Sequence, residues 1–391
     1  MKRFTIHSSR SLFSVLRTLM LPVVGGLLLL ISACDTPEKV LKSTDIEYKK
    51  AKAISWYNNH EYYKAIPVLE ELIGLMKGRQ STEDLYYMYA DANFQQGDYL
   101  ISAYHFKNYY DLYPTSDKAE ECLFMHAKSY EMLSPKPELD QTYTNKAMEA
   151  YQLFLNSSTS PKYTHEANDA VIVLRKKLEK KALNAADLYY RTSNFKAASV
   201  SYANVLKDFP DIEESERITF MIMKSSYRYA QNSIPARKSE RYNLVIKNFK
   251  EFKYKFGNSK YLVEASQYEQ MAHYDAVKSA FDAAEEAPAY QKERSFNIFF
   301  NESEAQKPYI TDKDELEDIR KWEERGRFLV VKNNYQLSEE KKSNQKLPHL
   351  EQTVKTYYIF VDKYPQSRYS KEAERIFKNT TEQLSKLKGN G

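Results

Sequence analysis

The sequence predicts an all-α protein in which antiparallel helix pairs stack into an α-solenoid. Glycine is scarce, with nine residues in a chain of 391, whereas tight β-turns depend on it. Long amphipathic runs end at short polar turns, and no convincing alternating strand accompanies such a turn. Small residues recur at a fixed interval, since Ala53, Ala90 and Ala127 are each 37 positions apart. A fixed interval of this size is typical of repeat architectures.

The first 33 residues have the features of an export signal that is removed. Four basic and no acidic residues accompany an apolar run, Leu19–Ile31, which is too short to span a bilayer comfortably. Ile31-Ser32-Ala33-Cys34 resembles a bacterial lipobox, and this resemblance implies that Cys34 is acylated and becomes the first residue of the mature protein. The alternative is an ordinary cleaved signal with an incidental cysteine. We expect residues 34–44 to form a flexible, lipidated tether at a membrane.

The charge balance argues against a nucleic-acid partner. The chain has 58 basic and 53 acidic residues, and the predicted signal holds four of the basic ones and none of the acidic ones. Residues 34–391 therefore carry 54 basic and 53 acidic residues, a net charge of +1, which supplies no overall basic character for nucleic acid. If Cys34 is acylated, Cys122 has no partner, so we expect a fold stabilised by packing and without a disulfide.

Four segments share one layout, in which two amphipathic helices flank a turn. In Asp84–Pro114 the turn is Gly97-Asp98, and Pro114 ends the second helix. This layout resembles the tetratricopeptide repeat (TPR), with Tyr86 at the first aromatic position of that family and Ala90 at its first small position. A generic helical bundle is the alternative. The other three segments are Ile46–Met76, Glu120–Leu155 and Lys180–Pro210.

These segments set the predicted domain boundaries. The expected parts are a TPR-like domain over residues 45–283, a loop or linker over 284–314 and a C-terminal helical extension over 315–391. Residues 337–348 are also polar and poorly periodic, so we expect a second loop there. The two helical parts share a six-residue junction motif. Phe256–Tyr261 and Tyr364–Tyr369 have the same layout 108 positions apart, and each is followed by a Glu-Ala pair.

No catalytic grouping stands out. The histidines after the signal form no dense metal-ligand spacing, and there is no glycine-rich phosphate loop and no nucleophile elbow. Cys122 and His126 lie four residues apart on a predicted helix, which is half of a zinc site, although a structural histidine is the simpler interpretation. The sequence therefore predicts a protein that is not an enzyme and uses neither metal nor cofactor.

Binding surfaces are what this fold class offers. In a stack of helix pairs, the first helix of each pair lines the inner side. The mixture of aromatic and polar residues expected there suits an extended peptide, with rings for apolar side chains and polar groups for the main chain. Packing between neighbouring helices is the alternative for any single ring. By the resemblance to TPRs, the inward positions are Tyr57, Asn58, Tyr87, Asp91, Phe94, Phe124 and Lys128.

A second candidate surface is basic. Arg217, Lys224 and Arg228 fall on one face of a predicted helix, and the preceding pair adds Tyr190 and Arg191. We expect this basic patch to dock an acidic partner surface. A solvated basic face is the alternative.

The lipobox, the repeats that follow it and the long helix after Tyr163 together resemble the BamD-like family of outer-membrane assembly lipoproteins. The resemblance covers residues 27–275 and is densest over Tyr163–Tyr229. It implies a lipid-anchored scaffold at the periplasmic face of the outer membrane that binds BamA-like domains and unfolded β-barrel precursors, without cofactor or covalent chemistry. Two departures stand against it: Asp35, which in enteric bacteria favours the inner membrane, and a tail from about Ala284 that lies beyond the family core.

Two expectations about function follow. The earlier repeats would receive precursor segments and the later ones would dock the assembly partner. The chief rival is a nutrient- or glycan-binding helical-repeat lipoprotein that partners an outer-membrane importer. Such proteins usually carry Trp-rich glycan platforms, and only Trp56 and Trp322 are available here.

Overall fold

A computed structural model describes residues 36–76, 82–158 and 161–389, without the side chains of residues 343, 344 and 389. The predicted signal, the predicted acylation site Cys34 and Asp35 lie outside the described residues. All regular secondary structure in the described ranges is helical, and most consecutive helices pack against one another. The predicted all-α fold of antiparallel helix pairs is therefore confirmed. The chain divides into two compact units, Met1–Leu178 and Glu179–Gly391.

The first unit consists of a short helix followed by three helix pairs. Its cores contain fully buried alanines, Ala53, Ala90 and Ala127 among them, which let neighbouring helices approach closely. The helices are α1 (Pro37–Leu41), α2 (Ile46–Asn58), α3 (Tyr62–Leu75), α4 (Thr82–Gln96), α5 (Tyr99–Leu112), α6 (Ala119–Leu133) and α7 (Thr142–Ser157).

A 31-residue helix, α8 (Pro161–Arg191), contributes residues to both units. In the second unit, alternate helices also contact one another, so that α10, α12, α14 and α16 form a continuous series. The helices there are α9 (Phe195–Asp208), α10 (Ser215–Gln231), α11 (Pro235–Lys255), α12 (Leu262–Glu286), α13 (Ala289–Gln306), α14 (Lys313–Glu339), α15 (Ser343–Lys363) and α16 (Ser370–Gly389), with a 3₁₀ turn at Lys307–Tyr309.

Three turns between paired helices share one backbone geometry. His60, Gly97 and Ser193 have φ values of 60°, 86° and 62°. In each turn this left-handed residue donates its amide to the carbonyl three residues earlier, and the next residue donates to the carbonyl five residues earlier. The helix carbonyls are capped in this way before the chain reverses. The predicted turn at Gly97-Asp98 is confirmed.

The predicted loop over 284–314 is wrong, because α13 occupies most of it. One face of α13 buries Phe296, Phe299 and Phe300, and the same face continues with Ser303 and Gln306. These two polar residues interrupt the apolar pattern of the face, so the sequence alone does not show its helical period. In the structure, Gln306 is hydrogen-bonded to His273 and Ser303 to Glu323.

Two further expectations about loops are corrected. The predicted tether contains α1, which begins at a proline, and Val40 is fully buried in the first core. The predicted loop over 337–348 is reduced to residues 340–342, because α14 runs to Glu339 and α15 begins at Ser343. The C-terminal extension is helical as predicted. Within the described ranges, no helix is both long enough and apolar enough to cross a membrane.

Candidate functional site

The predicted inward residues of the first unit lie on α2, α4 and α6, the first helices of successive pairs. Tyr57 donates its hydroxyl to Asp91 Oδ2 at 2.6 Å, and Tyr87 donates to Glu121 Oε1 at 2.9 Å. Each bond links residues 34 positions apart and therefore joins one pair to the next. A phenol on one pair and a carboxylate on the following pair thus form a recurring contact.

The environment keeps these phenols protonated. Burial and the Asp91 carboxylate raise the pKa of Tyr57 far above its usual range. Burial and Glu121 do the same for the pKa of Tyr87. Both tyrosines are therefore hydrogen-bond donors at any physiological pH.

Two other predicted residues reach the solvent beside these tyrosines. Asn58, the last residue of α2, is exposed, and Phe94 is half-buried, with its ring edge-on to Tyr99 at 5.3 Å. We call Tyr57, Asn58, Tyr87, Asp91 and Phe94 the tyrosine face.

Phe124 and Lys128, predicted for the same surface, have structural roles. Phe124 is only 3% exposed and stacks on Tyr163 at 4.7 Å, so its ring lies in the core and not on the tyrosine face. Lys128 Nζ lies 3.2 Å from both Glu131 and Glu166. Although burial opposes it, these two carboxylates raise the pKa of Lys128.

The arrangement around Phe124 recurs twice more in the chain. A phenylalanine on the first helix of a pair stacks on the tyrosine before the next pair, and a lysine one turn later binds a glutamate on that next helix. We call this arrangement the clasp. The ring pairs are Phe124–Tyr163 at 4.7 Å, Phe220–Tyr261 at 4.9 Å and Phe328–Tyr369 at 4.6 Å. The ion pairs are Lys128–Glu166 at 3.2 Å, Lys224–Glu264 at 2.8 Å and Lys332–Glu372 at 3.0 Å.

The basic patch is smaller than the sequence predicts. Lys224 is the clasp lysine of its pair, bound to Glu264 at 2.8 Å. Arg217 lies 3.2 Å from Asp187 and 2.7 Å from Glu214. Although burial opposes it, these two carboxylates raise the pKa of Arg217. Both cations are therefore already neutralised within their own unit.

The remaining members of the patch are open to a partner. Arg191, at the end of α8, is exposed, and Arg228 donates from Nη1 to the amide oxygen of Gln231 at 3.0 Å. Tyr190 is half-buried, edge-on to Phe195 at 5.5 Å. Arg191 and Arg228 thus carry the positive charge that this surface can offer.

Cys122 and His126 are both packed inside the first unit. Cys122 is fully buried, and burial raises the pKa of its thiol. His126 Nδ1 lies 2.8 Å from the carbonyl oxygen of Ala103, which can only accept, so Nδ1 carries the proton. Among the described residues, no group of three or more metal-ligating side chains comes together.

Neither tryptophan presents a glycan platform. Trp56 is 6% exposed in the first core. Trp322 packs face to face on Phe281, with ring centroids 5.7 Å apart. Trp56 therefore offers no exposed ring to a glycan, and Trp322 is half-buried with one face against Phe281.

The comparison with protein families agrees with this architecture. A family model described as YfiO, outer membrane lipoprotein, matches residues 43–244, which is more than half of the chain. The chain belongs to the YfiO family of outer membrane lipoproteins. The matched range of the YfiO model includes both the tyrosine face and the basic patch. No curated protein matches the chain.

Solved structures similar to this YfiO-family chain include two TPR proteins. The TPR2AB domain of yeast Sti1, in complex with pHSP90, is 12% identical, covers 72% of this chain and 98% of its own, and has a TM-score of 0.29. The TPR domain of P58(IPK) is 14% identical, covers 75% of this chain and 68% of its own, and has a TM-score of 0.30.

Asp91 was predicted for this surface, but the sequence reasoning missed two other acidic residues that bind a neighbouring helix pair. Glu121 accepts from Tyr87, and Asp84 accepts from Lys118 Nζ at 3.0 Å, again across 34 positions. Lys118 Nζ also lies 4.5 Å from the centre of the Tyr87 ring. All three contacts join residues 34 positions apart, whereas the alanines recur every 37 positions, so the alanine interval alone does not identify them.

Proposed function

We propose that this protein is a non-catalytic scaffold of outer-membrane β-barrel assembly, anchored by an acylated Cys34 and facing the periplasm. It binds BamA-like periplasmic domains and unfolded β-barrel precursors. The observation that carries the proposal is the match of the YfiO model to residues 43–244, since both candidate surfaces lie inside that range. Stacked helix pairs present extended surfaces, which supports a binding role.

The tyrosine face is the proposed site for precursor segments. Tyr57 and Tyr87 are half-buried, so their rings offer apolar area beside fixed carboxylates. An extended chain can lay its apolar side chains on the rings and donate its backbone N–H groups to the remaining carboxylate lone pairs. Rings that need little reordering keep the entropic cost of such binding low.

The basic patch, reduced to Tyr190, Arg191 and Arg228, is the proposed docking site for the assembly partner. Arg217 and Lys224 hold neighbouring helices together and support the patch from below. An acidic partner surface would bind the guanidinium groups of Arg191 and Arg228 through charge-assisted hydrogen bonds.

Site-specific photocrosslinking in cells tests this division. Crosslinkers at Tyr57, Tyr87 and Phe94 should capture nascent β-barrel proteins, and crosslinkers at Arg191 and Arg228 should capture the assembly partner. Tyr63 and Tyr254, which are 63% and 91% exposed, serve as matched controls outside both surfaces. Capture of precursors at the basic patch, with none at the tyrosine face, would overturn the division.

The role itself is tested separately. Depletion of the protein should lower the amount of folded β-barrel proteins in the outer membrane, and a tagged copy should co-purify with the central barrel subunit from detergent-solubilised membranes. Glycan binding by calorimetry, with no envelope β-barrel protein in the pull-down, would instead favour the nutrient-binding alternative.

A further inference from the structure

The C-terminal extension contains a basic pocket at the junction of α14, α15 and α16. Its volume is about 530 Å³, and its lining includes Arg320, Lys321, Lys363 and Arg368. One acidic residue, Glu324, also lines it and accepts a hydrogen bond from Ser367 Oγ at 2.5 Å. The pocket lies outside the range matched by the YfiO model.

Two cations of this pocket form ion pairs that are exposed to solvent. Arg320 binds Glu317 at 2.9 Å and Lys321 lies 3.5 Å from Asp318, in both cases one turn away on the same exposed helix face. The exposed Lys321 pair contributes little free energy, so an incoming anion can replace it, whereas Arg320 holds Glu317 through two hydrogen bonds of 2.9 Å.

The same junction concentrates buried polar atoms without a partner. In the described ranges, five buried side-chain nitrogen or oxygen atoms lack a hydrogen bond, and three of them are Arg327 Nε, Tyr364 Oη and Ser370 Oγ. Buried polar atoms are nearly always satisfied, because leaving one unpaired is costly. Three such atoms at one junction leave hydrogen-bonding capacity for a ligand.

Arg327 is the most unusual of the three. Its guanidinium lies 3.6 Å from the centre of the Phe300 ring, and burial lowers its pKa. The neighbouring carboxylate of Glu323 is already occupied by Lys307 Nζ and Ser303 Oγ, both at 2.7 Å. Both of these bonds are to Oε1 of Glu323, whose charge still acts on the half-buried Arg327 guanidinium, and Arg327 forms no ion pair among the described residues.

The chain supplies its own control for this junction. The corresponding positions 108 residues earlier are Thr219, Phe256 and Leu262. Two of these are apolar, and Thr219 is satisfied by the carbonyl of Ser215 at 2.7 Å. Both contacts of the clasp, the ring stack and the ion pair, also form at this earlier junction.

The three unpartnered groups at the later junction are therefore not required for packing. We propose that Tyr364 and the cations lining the pocket form a site for a phosphate group, and that Arg327 contributes positive charge beside them. Arginine, lysine and hydroxyl donors together are the usual complement of phosphate oxygens, and several cations suit a ligand of more than one negative charge. The phosphate belongs either to a soluble phosphate ester or to the headgroup of an anionic phospholipid.

The primary test is calorimetric titration of the full chain with inorganic phosphate, at an ionic strength held constant with chloride. Wild-type protein should bind phosphate. Tyr364→Phe removes one hydroxyl and restores the residue type of the earlier junction, so folding should be retained, as checked by circular dichroism. We expect about tenfold weaker binding, as for loss of one hydrogen bond to a charged group.

A pair of double variants separates a built site from general charge. Lys363→Gln with Arg368→Gln should abolish measurable binding. Lys255→Gln with Lys260→Gln removes the same charge at the earlier junction and should bind as wild type. Equal weakening by both double variants, wild-type affinity in Tyr364→Phe, or no phosphate binding at all would each overturn the proposal.

The source of the phosphate is resolved with two further ligands. Short-chain phosphatidylglycerol, below its micelle concentration, should compete with phosphate if the ligand is an anionic headgroup, and short-chain phosphatidylcholine should not. Competition by glycerol 3-phosphate alone would support a soluble ester. Both outcomes support the site, provided that Lys363→Gln with Arg368→Gln removes the competition.

Discussion

Lys224 Nζ lies 2.8 Å from Glu264 Oε1, and the same ion pair recurs 108 residues later between Lys332 and Glu372 at 3.0 Å. Each lysine also lies above the phenylalanine one turn before it, at 5.5 Å from Phe220 and 5.9 Å from Phe328. The clasp is therefore a property of the repeat. A lysine that reads as part of a docking surface in the sequence is a structural residue in the fold.

Separating structural from docking cations gives a first prediction. Lys224→Met keeps the apolar stem and removes the ion pair with Glu264. Because the pair is partly exposed, we expect a loss of about 0.5–1 kcal/mol in the free energy of unfolding. Urea denaturation measures this loss, while capture of the assembly partner should be unchanged. Arg228→Gln is the converse variant, with near wild-type stability and reduced capture. Reduced capture in Lys224→Met at wild-type stability would contradict the structural role.

The bond between Tyr57 and Asp91 gives a second prediction. Tyr57→Phe removes a hydroxyl that donates to a carboxylate across two helix pairs, so it should cost about 1.5–3 kcal/mol of unfolding free energy. A double-mutant cycle with Asp91→Asn isolates the interaction. Tyr63→Phe, on an exposed tyrosine, should be neutral. A coupling energy near zero would show that the two side chains act independently.

The left-handed turns give a third prediction. Gly97 has φ of 86° and open space around its Cα, so Gly97→Ala should cost about 1–2 kcal/mol from backbone strain alone. Ser193 has φ of 62° without being glycine. Ser193→Gly should therefore stabilise the second unit by about 0.5–1 kcal/mol, after the entropic penalty of glycine. In thermal unfolding, the midpoint should fall for Gly97→Ala and rise for Ser193→Gly.

How far the sequence predicts the structure depends on whether a signal repeats. The helix pairs, the turn at Gly97-Asp98 and the small residues Ala53 and Ala90 all recur, and the structure confirms them. The prediction of a loop over 284–314 fails because Ser303 and Gln306 interrupt an apolar face. Their hydrogen-bond partners, Glu323 and His273 respectively, lie in distant parts of the chain.

The candidate sites were harder to predict than the fold. Tyr57 and Phe124 both occupy aromatic positions on first helices, yet one is half-buried and the other lies in the core. The difference comes from Tyr163, which stacks on Phe124. Periodicity identifies which face a residue occupies, but it does not show which neighbour covers that face.

Close helix packing in the C-terminal extension gives a fourth prediction. A Cβ at Gly326 would lie 3.0 Å from two ring carbons of Phe296 and 3.3 Å from Phe300. Gly326→Ala should therefore cost about 1–3 kcal/mol through overpacking. Gly74, near the end of α3, has nothing within 4 Å of the corresponding position. Gly74→Ala should be neutral or stabilise by up to about 1 kcal/mol. Equal unfolding midpoints for the two variants would contradict the tight contact.

Two half-buried histidines give a last prediction, for the dependence of stability on pH. Burial lowers the pKa of His105 and of His126 from the usual 6.5. The unfolded chain therefore binds protons at these sites before the folded chain does, so unfolding becomes more favourable as the pH falls below 6.5. Above pH 6.5 both histidines are neutral in the folded and the unfolded chain, so this loss of stability does not occur. Urea midpoints at about pH 7.5 and about pH 5.5 should show the loss, and the double variant His105→Gln with His126→Gln should reduce it. If the variant loses as much stability as the wild type, other groups cause the acid sensitivity.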